Sequence, residues 1–216
     1  NIPVRAVTGF NWSSDFMSFT HGPHEYGAIH FHDESVDDAR WDKSFTLTVP
    51  EGLPSGVYAA RLRVNRIASA DTEDYIPFAV RPPQTGSKAK IALVLPIFSY
   101  MAYANDNLSV NSVIAQLLTG QVPLLQPGDL LLNKERGYGL GTYAHYRDGW
   151  GVNTSSRLRP IINMRPKYIH VLSPSLWQLN ADLHITDWLH EMGYDCDIHT
   201  DIDLQEEGVD LLKDYK

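Results

Sequence analysis

The sequence holds a single cysteine, Cys196, which excludes an internal disulfide framework and fits a reducing compartment. It has no lysine–arginine tract. With 18 basic against 26 acidic residues the formal net charge is −8, so a nucleic-acid-binding surface is not expected. Apolar runs are short: a stretch such as Ile91 to Ile97 falls far below the roughly 20 residues of a membrane-spanning helix, so no membrane partner is expected. No signal-peptide pattern opens the chain. What remains is 216 residues, 43% of them apolar, enough for one large core or two small ones. The chain starts at Asn1 and stops at Lys216 directly after a helix-like run; we expect it to be a piece of a larger soluble, cytoplasmic protein.

Residues 1–81 read as β structure. Ala28 to His32 and Ser44 to Val49 alternate apolar and polar side chains, as a half-buried strand does. Pro50 to Gly56 is a turn cluster, with Pro50, Gly52, Pro54 and Gly56 forbidding regular structure. The two-residue period resumes over Val57–Val64 and Tyr75–Val80, where Pro77 predicts an edge strand or a bulge. Short strands with turns between them predict an antiparallel, sandwich-like all-β segment. A proline-containing polar linker follows at 82–89.

After the linker the period changes. Lys90 to Leu95 is a continuous apolar strand, the pattern of a sheet covered on both faces, and Tyr168 to Leu172 predicts a second. Leu183, Trp188 and Leu189 have helical spacing within Ala181–Met192, and Gly193 supplies the C-terminal cap. Asp195 to Thr200 reads as a strand, and Asp203 to Tyr215 as a helix with Val209, Leu211 and Leu212 on its apolar side. Strand, helix, strand, helix predicts a parallel α/β domain over 90–216, incomplete at its C-terminal end.

In such a domain ligands bind in the loops beyond the carboxyl ends of the strands. Pro96 to Asn105 is one such loop, and the glycine- and aromatic-rich Gly137 to Gly151 is another. Gly137, Gly139 and Gly141 lack the spacing and following helix of a dinucleotide fingerprint; flexible presentation of Tyr143 accounts for them better. His21, His24, His30 and His32, with Asp33 and Glu34, invite a zinc site, but no closed ligand set is evident and a solvated strand face is the better reading. Ser99, Ser173 and Ser175 lack a nucleophile elbow, and Cys196 reads as a small buried hydrophobe. Arg157, Arg159, Arg165 and Lys167 form a basic cluster suited to a carboxylate product or an acidic partner surface. Tyrosines at strand ends, taken alone, are more often packing residues than ligands.

Several stretches resemble the large (beta) subunit family of N,N-dimethylformamidase. In the β half these are Arg5–Gly9, Tyr26–Asp33 and Pro54–Leu62; in the α/β half they are Phe98–Asn105, Ser155–Pro160 and Asn180–His184. The resemblance implies a bacterial amidohydrolase that cleaves the C–N bond of a small amide, giving formate and dimethylamine from N,N-dimethylformamide. It implies a lectin-like β region joined to a glutamine-amidotransferase-like α/β domain, a small-subunit partner and homo-oligomerisation. It also implies mononuclear non-haem iron, in the ferric state, held by two tyrosines and one glutamate. Tyr103, in Ala102-Tyr103-Ala104-Asn105, matches the first ligand. Tyr143 matches the second by its place ahead of Asp148-Gly149, with Tyr146 an alternative because the family pattern has a histidine there. The glutamate is expected beyond Lys216, so this segment alone is expected to be inactive, and no general acid is assignable within it.

The chemistry is consistent with that ligand set. Holding a tyrosine as phenolate at pH 7 costs roughly 4 kcal/mol, and two cost about 8 kcal/mol before repulsion. A hard, trivalent ion can offset this, whereas Ca²⁺ or Mg²⁺ favours carboxylates and water. Phe98, Trp150 and Trp177 are expected to wall an apolar pocket. The competing expectation is a non-catalytic binding or assembly module with a lectin-like β half and an inert α/β half.

Overall fold

A computed structural model of the chain describes residues 2–32, 36–64, 72–83, 89–106, 112–122, 125–146, 149, 151–170 and 173–215, leaving aside the side chains at 2–5, 29–32, 64, 72, 112, 114, 115 and 136. Two antiparallel ribbons open it. β1 (Ile2–Thr8) pairs with β2 (Tyr26–His32), with register shifts between Pro3 and Arg5 and between Val7 and Thr8. β3 (Gly56–Val64) pairs with β4 (Thr72–Val80) without a break, from Gly56 opposite Val80 to Val64 opposite Thr72. Every strand of a two-stranded ribbon has an outward row of backbone groups, and Pro77 is tolerated there.

Ser44 to Val49 is irregular, contrary to its alternation. Phe45, Leu47 and Val49 are about half exposed. Alternation gives a segment one apolar face, but a strand also needs a ladder partner, and among the described residues the bridge nearby joins Asp38 to Leu158.

The second half runs β5 (Ile91–Leu95), α1 (Ile97–Ala102), α2 (Ser112–Thr119), α3 (Pro127–Lys134), β6 (Ile169–His170), β7 (Ser175–Leu176), α4 (Leu179–Glu191), β8 (Cys196–Thr200) and α5 (Asp201–Glu207). β5 and β8 are parallel, Ile91 opposite Cys196 through Leu95 opposite Thr200. The expected strand at Tyr168–Leu172 differs: β6 turns back into an antiparallel hairpin with β7, and 171–172 lie outside the described residues. α4 ends where Gly193 adopts φ +72°, the left-handed conformation that favours glycine. The last helix is shorter than its apolar spacing suggests. Thr200 and Asp203 form a capping box at its start, Gly208 ends it at φ +74°, and a single 3₁₀ turn, Val209–Leu212, follows. There Leu211 is buried while Val209 faces outward.

The described residues thus form a mixed α/β structure with small antiparallel pairs and one parallel pair. Leu95, Tyr100, Leu179 and Ile198 make the main core, and Val57 and Ala79 of the second ribbon pack onto it. Ser55 joins the two halves: its hydroxyl accepts the Ile198 amide at 2.7 Å and donates to the Val80 carbonyl at 2.9 Å. Arg81 pairs with Asp203 and Glu207, and Arg165 with Asp74. Tyr100, fully buried, donates its hydroxyl to Asp182 and so ties α1 to α4; burial raises its pKa and keeps it a neutral donor. Of the linker, 84–88 lie outside the described residues. Among the described residues no helix is long and apolar enough to cross a membrane.

Candidate metal centre

Tyr103 caps the C-terminal end of α1, just past the end of β5, at the strand rim where the sheet topology places ligands. The chain then reverses through Asn105, at φ +56°. Asparagine tolerates that conformation better than most residues, and its buried side chain fixes it further. Asn105 Nδ2 donates to the carbonyls of Pro160 (2.7 Å) and Tyr138 (3.3 Å), and Oδ1 accepts the Ile162 amide at 2.9 Å. Asn163, also buried, accepts the Asn105 amide and donates to the Tyr103 carbonyl at 2.7 Å. The backbone that presents Tyr103 is therefore held by polar groups whose bonding capacity is filled inside the fold.

The glycine-rich loop is fastened to this turn. The Thr142 amide donates to the Ala102 carbonyl at 2.9 Å, and the Thr142 hydroxyl donates to the same oxygen at 2.8 Å. Gly141 lies so close that a Cβ there would stand 2.7 Å from the Ala104 carbonyl oxygen. That glycine serves close approach of two backbones rather than flexible presentation.

Tyr143 emerges from the fastened loop directly onto Tyr103. The rings stack with centroids 4.2 Å apart and planes 8° from parallel. The approach of the Tyr143 side chain to its hydroxyl is the main reason the Tyr103 pKa rises; burial and the nearby Asp106 carboxylate act in the same direction. Tyr103 is thus a neutral phenol in the metal-free state. Tyr146 goes elsewhere: it is buried against Leu140 and Val152, whereas Tyr143 remains about half exposed. Of the two candidates for a second ligand, the structure brings Tyr143 to Tyr103 and puts Tyr146 in an apolar cluster.

Trp177 meets the Tyr103 ring edge-on at 6.1 Å and stacks on His170 at 4.5 Å. His170 lies 3.8 Å from the Asp106 carboxylate, with both residues almost fully buried. At that separation the contact is too long for a direct hydrogen bond. Burial lowers the His170 pKa, opposed by the charge of Asp129, and keeps the imidazole neutral. Asp106, Asp129 and His170 form a buried polar group behind the tyrosine pair that sequence reasoning missed. Asp106 adjoins the Tyr103 turn, but Asp129 and His170 are far away in sequence, and no motif links them.

The remaining expectations divide. Phe98 is half exposed on α1, with its amide donating to Asp201, and Trp150 lies outside the described residues. Two cavities, of about 550 and 880 Å³, are lined by neither Tyr103 nor Tyr143. His30 and His32 lie on β2 with side chains outside the described set, and Asp33 and Glu34 lie outside the described residues altogether. Among the described residues no group of three His, Cys, Asp or Glu side chains could hold a metal. The basic cluster does not hold together as a surface feature, because Arg159 is buried and Arg165 is paired with Asp74. Cys196 is half buried, and desolvation raises its thiol pKa, which suits a packing residue.

The family model described as N,N-dimethylformamidase beta subunit-like, C-terminal, matches residues 4–216. The chain belongs to that family. It is 45% identical over its whole length to the N,N-dimethylformamidase beta subunit of Paracoccus aminophilus, and 44% identical to that of an Alcaligenes species. It spans 28% of the length of each of these relatives.

Proposed function

We propose that this chain supplies two phenol ligands, Tyr103 and Tyr143, to a mononuclear ferric iron site in an enzyme that hydrolyses the C–N bond of a small amide such as N,N-dimethylformamide. The observation that carries the reading is the stacked pair itself: two tyrosine rings from separate loops lie face to face, 4.2 Å apart, at one strand rim. The donor set fits the ion. Two hard oxygen donors that must lose protons suit a trivalent cation, and the half exposure of Tyr143 leaves the pair open to it. The third ligand, a glutamate, comes from the part of the longer protein outside this chain. Bound iron would supply Lewis acidity toward an amide carbonyl and a water molecule.

This chain's own contribution is positioning. Asn105, Asn163 and Thr142 hold the two loops in register, so the two oxygens are placed before any ion arrives. Trp177, itself stacked on His170, meets the edge of the Tyr103 ring and limits its movement. The overall reaction adds one water across the C–N bond, giving formate and dimethylamine; no residue of this chain is assigned as the donor of the proton delivered to nitrogen. The same reading takes residues 1–81 as a lectin-like β region, 90–216 as an amidotransferase-like domain, and the relatives' designation as a beta subunit as a sign of a multi-subunit bacterial, cytoplasmic assembly.

Replacing Tyr103 by Phe in the full-length protein is expected to abolish iron binding, read by metal analysis and by loss of the visible tyrosinate-to-iron band. Full iron occupancy in that variant rejects the proposal. A second reading, a non-catalytic binding module, draws on the outward-facing Phe10, Trp12, Phe16 and Met17 between β1 and β2. It predicts a full-length protein without iron and without amide hydrolysis.

A further inference from the structure

We propose that Arg159 is a positioning residue that locks the two tyrosine-bearing loops to each other through the hydroxyl of Ser155, an inference that rests on Tyr103 and Tyr143 being the ligand pair. Arg159 is 6% exposed, yet among the described residues it makes no ion pair. A buried guanidinium is expensive unless its donors are filled. Here they are filled by the walls of the site. Nη1 donates to the carbonyls of Leu140 (3.0 Å) and Tyr138 (3.3 Å) in the glycine-rich loop. Nε donates to the Ser156 carbonyl at 3.1 Å, and Nη2 donates to Ser155 Oγ at 2.9 Å. Ser155 Oγ in turn donates to the Met101 carbonyl at 2.5 Å.

The chain of bonds therefore runs from the loop that carries Tyr143, through one guanidinium and one hydroxyl, to the last turn of the helix that ends at Tyr103. Leu140 precedes Tyr143 by three residues, and Met101 precedes Tyr103 by two. The loop is shaped to receive the fork. Gly139 sits at φ +77°, and a Cβ there would stand 2.3 Å from Arg159 Nη1, so a side chain would collide with the guanidinium. Gly141 admits the Ala104 backbone and Gly139 admits Arg159; the repeated glycine is thus a docking surface for the other loop and for its clamp. A lysine keeps the charge but cannot serve several carbonyls from one planar fork.

The test uses the full-length protein with Ser155→Ala and Arg159→Lys made separately. Three measurements decide it: iron affinity by competition with a chelator, the position of the tyrosinate-to-iron absorption band, and amide hydrogen exchange at Thr142 in metal-free protein. Thr142 is the reporter because its amide bonds directly to the Ala102 carbonyl across the two loops. We expect iron binding weaker by about 10- to 100-fold, the cost typical of removing an outer-sphere partner. The band should shift, and Thr142 should exchange faster in both variants, while Ser155→Ala, which leaves one guanidinium donor and the Met101 carbonyl without that hydroxyl, lowers the thermal midpoint by only a few degrees. Parental affinity, band and exchange in both variants overturn the clamp. If the parent protein binds no iron, the proposed function fails, and exchange alone decides the clamp: unchanged Thr142 protection overturns it and faster exchange supports it. If Arg159→Lys does not fold, the same readings on Ser155→Ala decide.

Discussion

Two regions of this molecule are held together by opposite means. Around β5 and β8 the cohesion is apolar: Leu95, Leu179 and Ile198 close on one another and on Tyr100, with Val57 and Ala79 laid over them. At the strand rim a few residues away, the loop that carries Tyr143 has only a small cluster of Leu140, Tyr146 and Val152, and Asn105, Asn163, Arg159 and Thr142 join it to the Tyr103 turn and its surroundings by directed bonds. Apolar packing stabilises without fixing direction, since it scales with area removed from water. Hydrogen bonds to backbone carbonyls contribute less net free energy each but specify distance and angle. A site that must hold two oxygens at one place needs the second kind, and it relies on the first kind next door for stability.

The difference is sharpest under truncation. Leu95→Ala removes a side chain that is 2% exposed from the centre of the apolar cluster. It is expected to lower unfolding free energy by about 2–5 kcal/mol, measured by denaturant titration. If Leu95→Ala costs less than about 1 kcal/mol, β5 is not part of a close-packed core. Asn105→Ala is expected to cost less in stability, about 1–3 kcal/mol, because it orphans the Ile162 amide and the Pro160 carbonyl and leaves alanine at φ +56°. Its effect on the site should be the larger of the two. The Thr142 amide should lose protection from exchange in Asn105→Ala and keep most of it in Leu95→Ala. Equal loss in both variants would mean that the rim and the core unfold as one unit.

The same contrast decides what was legible in the sequence. Alternating, continuous or helically spaced apolar patterns located β2, β3, β4, β5, β8 and α4, because such patterns are written in the residues of a single segment. They failed for Ser44–Val49, where the period is present but no partner strand is, and for Tyr168–Leu172, whose short apolar run cannot say whether it pairs parallel or turns back. Tyr103 and Tyr143 could be named only through family resemblance; tyrosine spacing alone carries no such information. The groups that hold them were unreadable for a different reason. Arg159 looks like a surface cation beside Arg157, and nothing local reveals that its fork fits against Gly139. Asp129 and His170 are brought together by tertiary packing alone. A directed bond between distant residues leaves no periodic trace, so the chemistry-bearing part of the fold was the part least visible.

Acid sharpens the comparison with the smallest effect. His170 is buried and its pKa is lowered, first by desolvation, with the Asp129 carboxylate opposing and the Asp106 carboxylate 3.8 Å away. In the unfolded chain the same imidazole takes a proton near pH 6.5. Between that pH and the lower folded value the unfolded state binds a proton that the folded state refuses. Stability is therefore complete above about pH 6.5 and falls as pH drops below it, by no more than about 1.4 kcal/mol per pH unit. The carboxylates whose pKa values are lowered, Glu25 and Glu73, lose their contributions only below the ordinary carboxylate range, so the two effects occupy separate windows. His170→Asn should flatten the stability profile between about pH 6.5 and pH 5 while leaving the steeper acid limb in place. The apolar cluster itself holds no histidine, but the buried His199 lies opposite Val94 of β5, so a loss of Thr142 protection at pH 5.5 that His170→Asn abolishes, without a matching loss at the β5 amides, would place the acid-sensitive element at the rim. A profile unchanged by His170→Asn would mean that the imidazole takes up its proton equally well in the folded and unfolded chain, and a change of opposite sign would mean that it is protonated in the folded state and paired with Asp106.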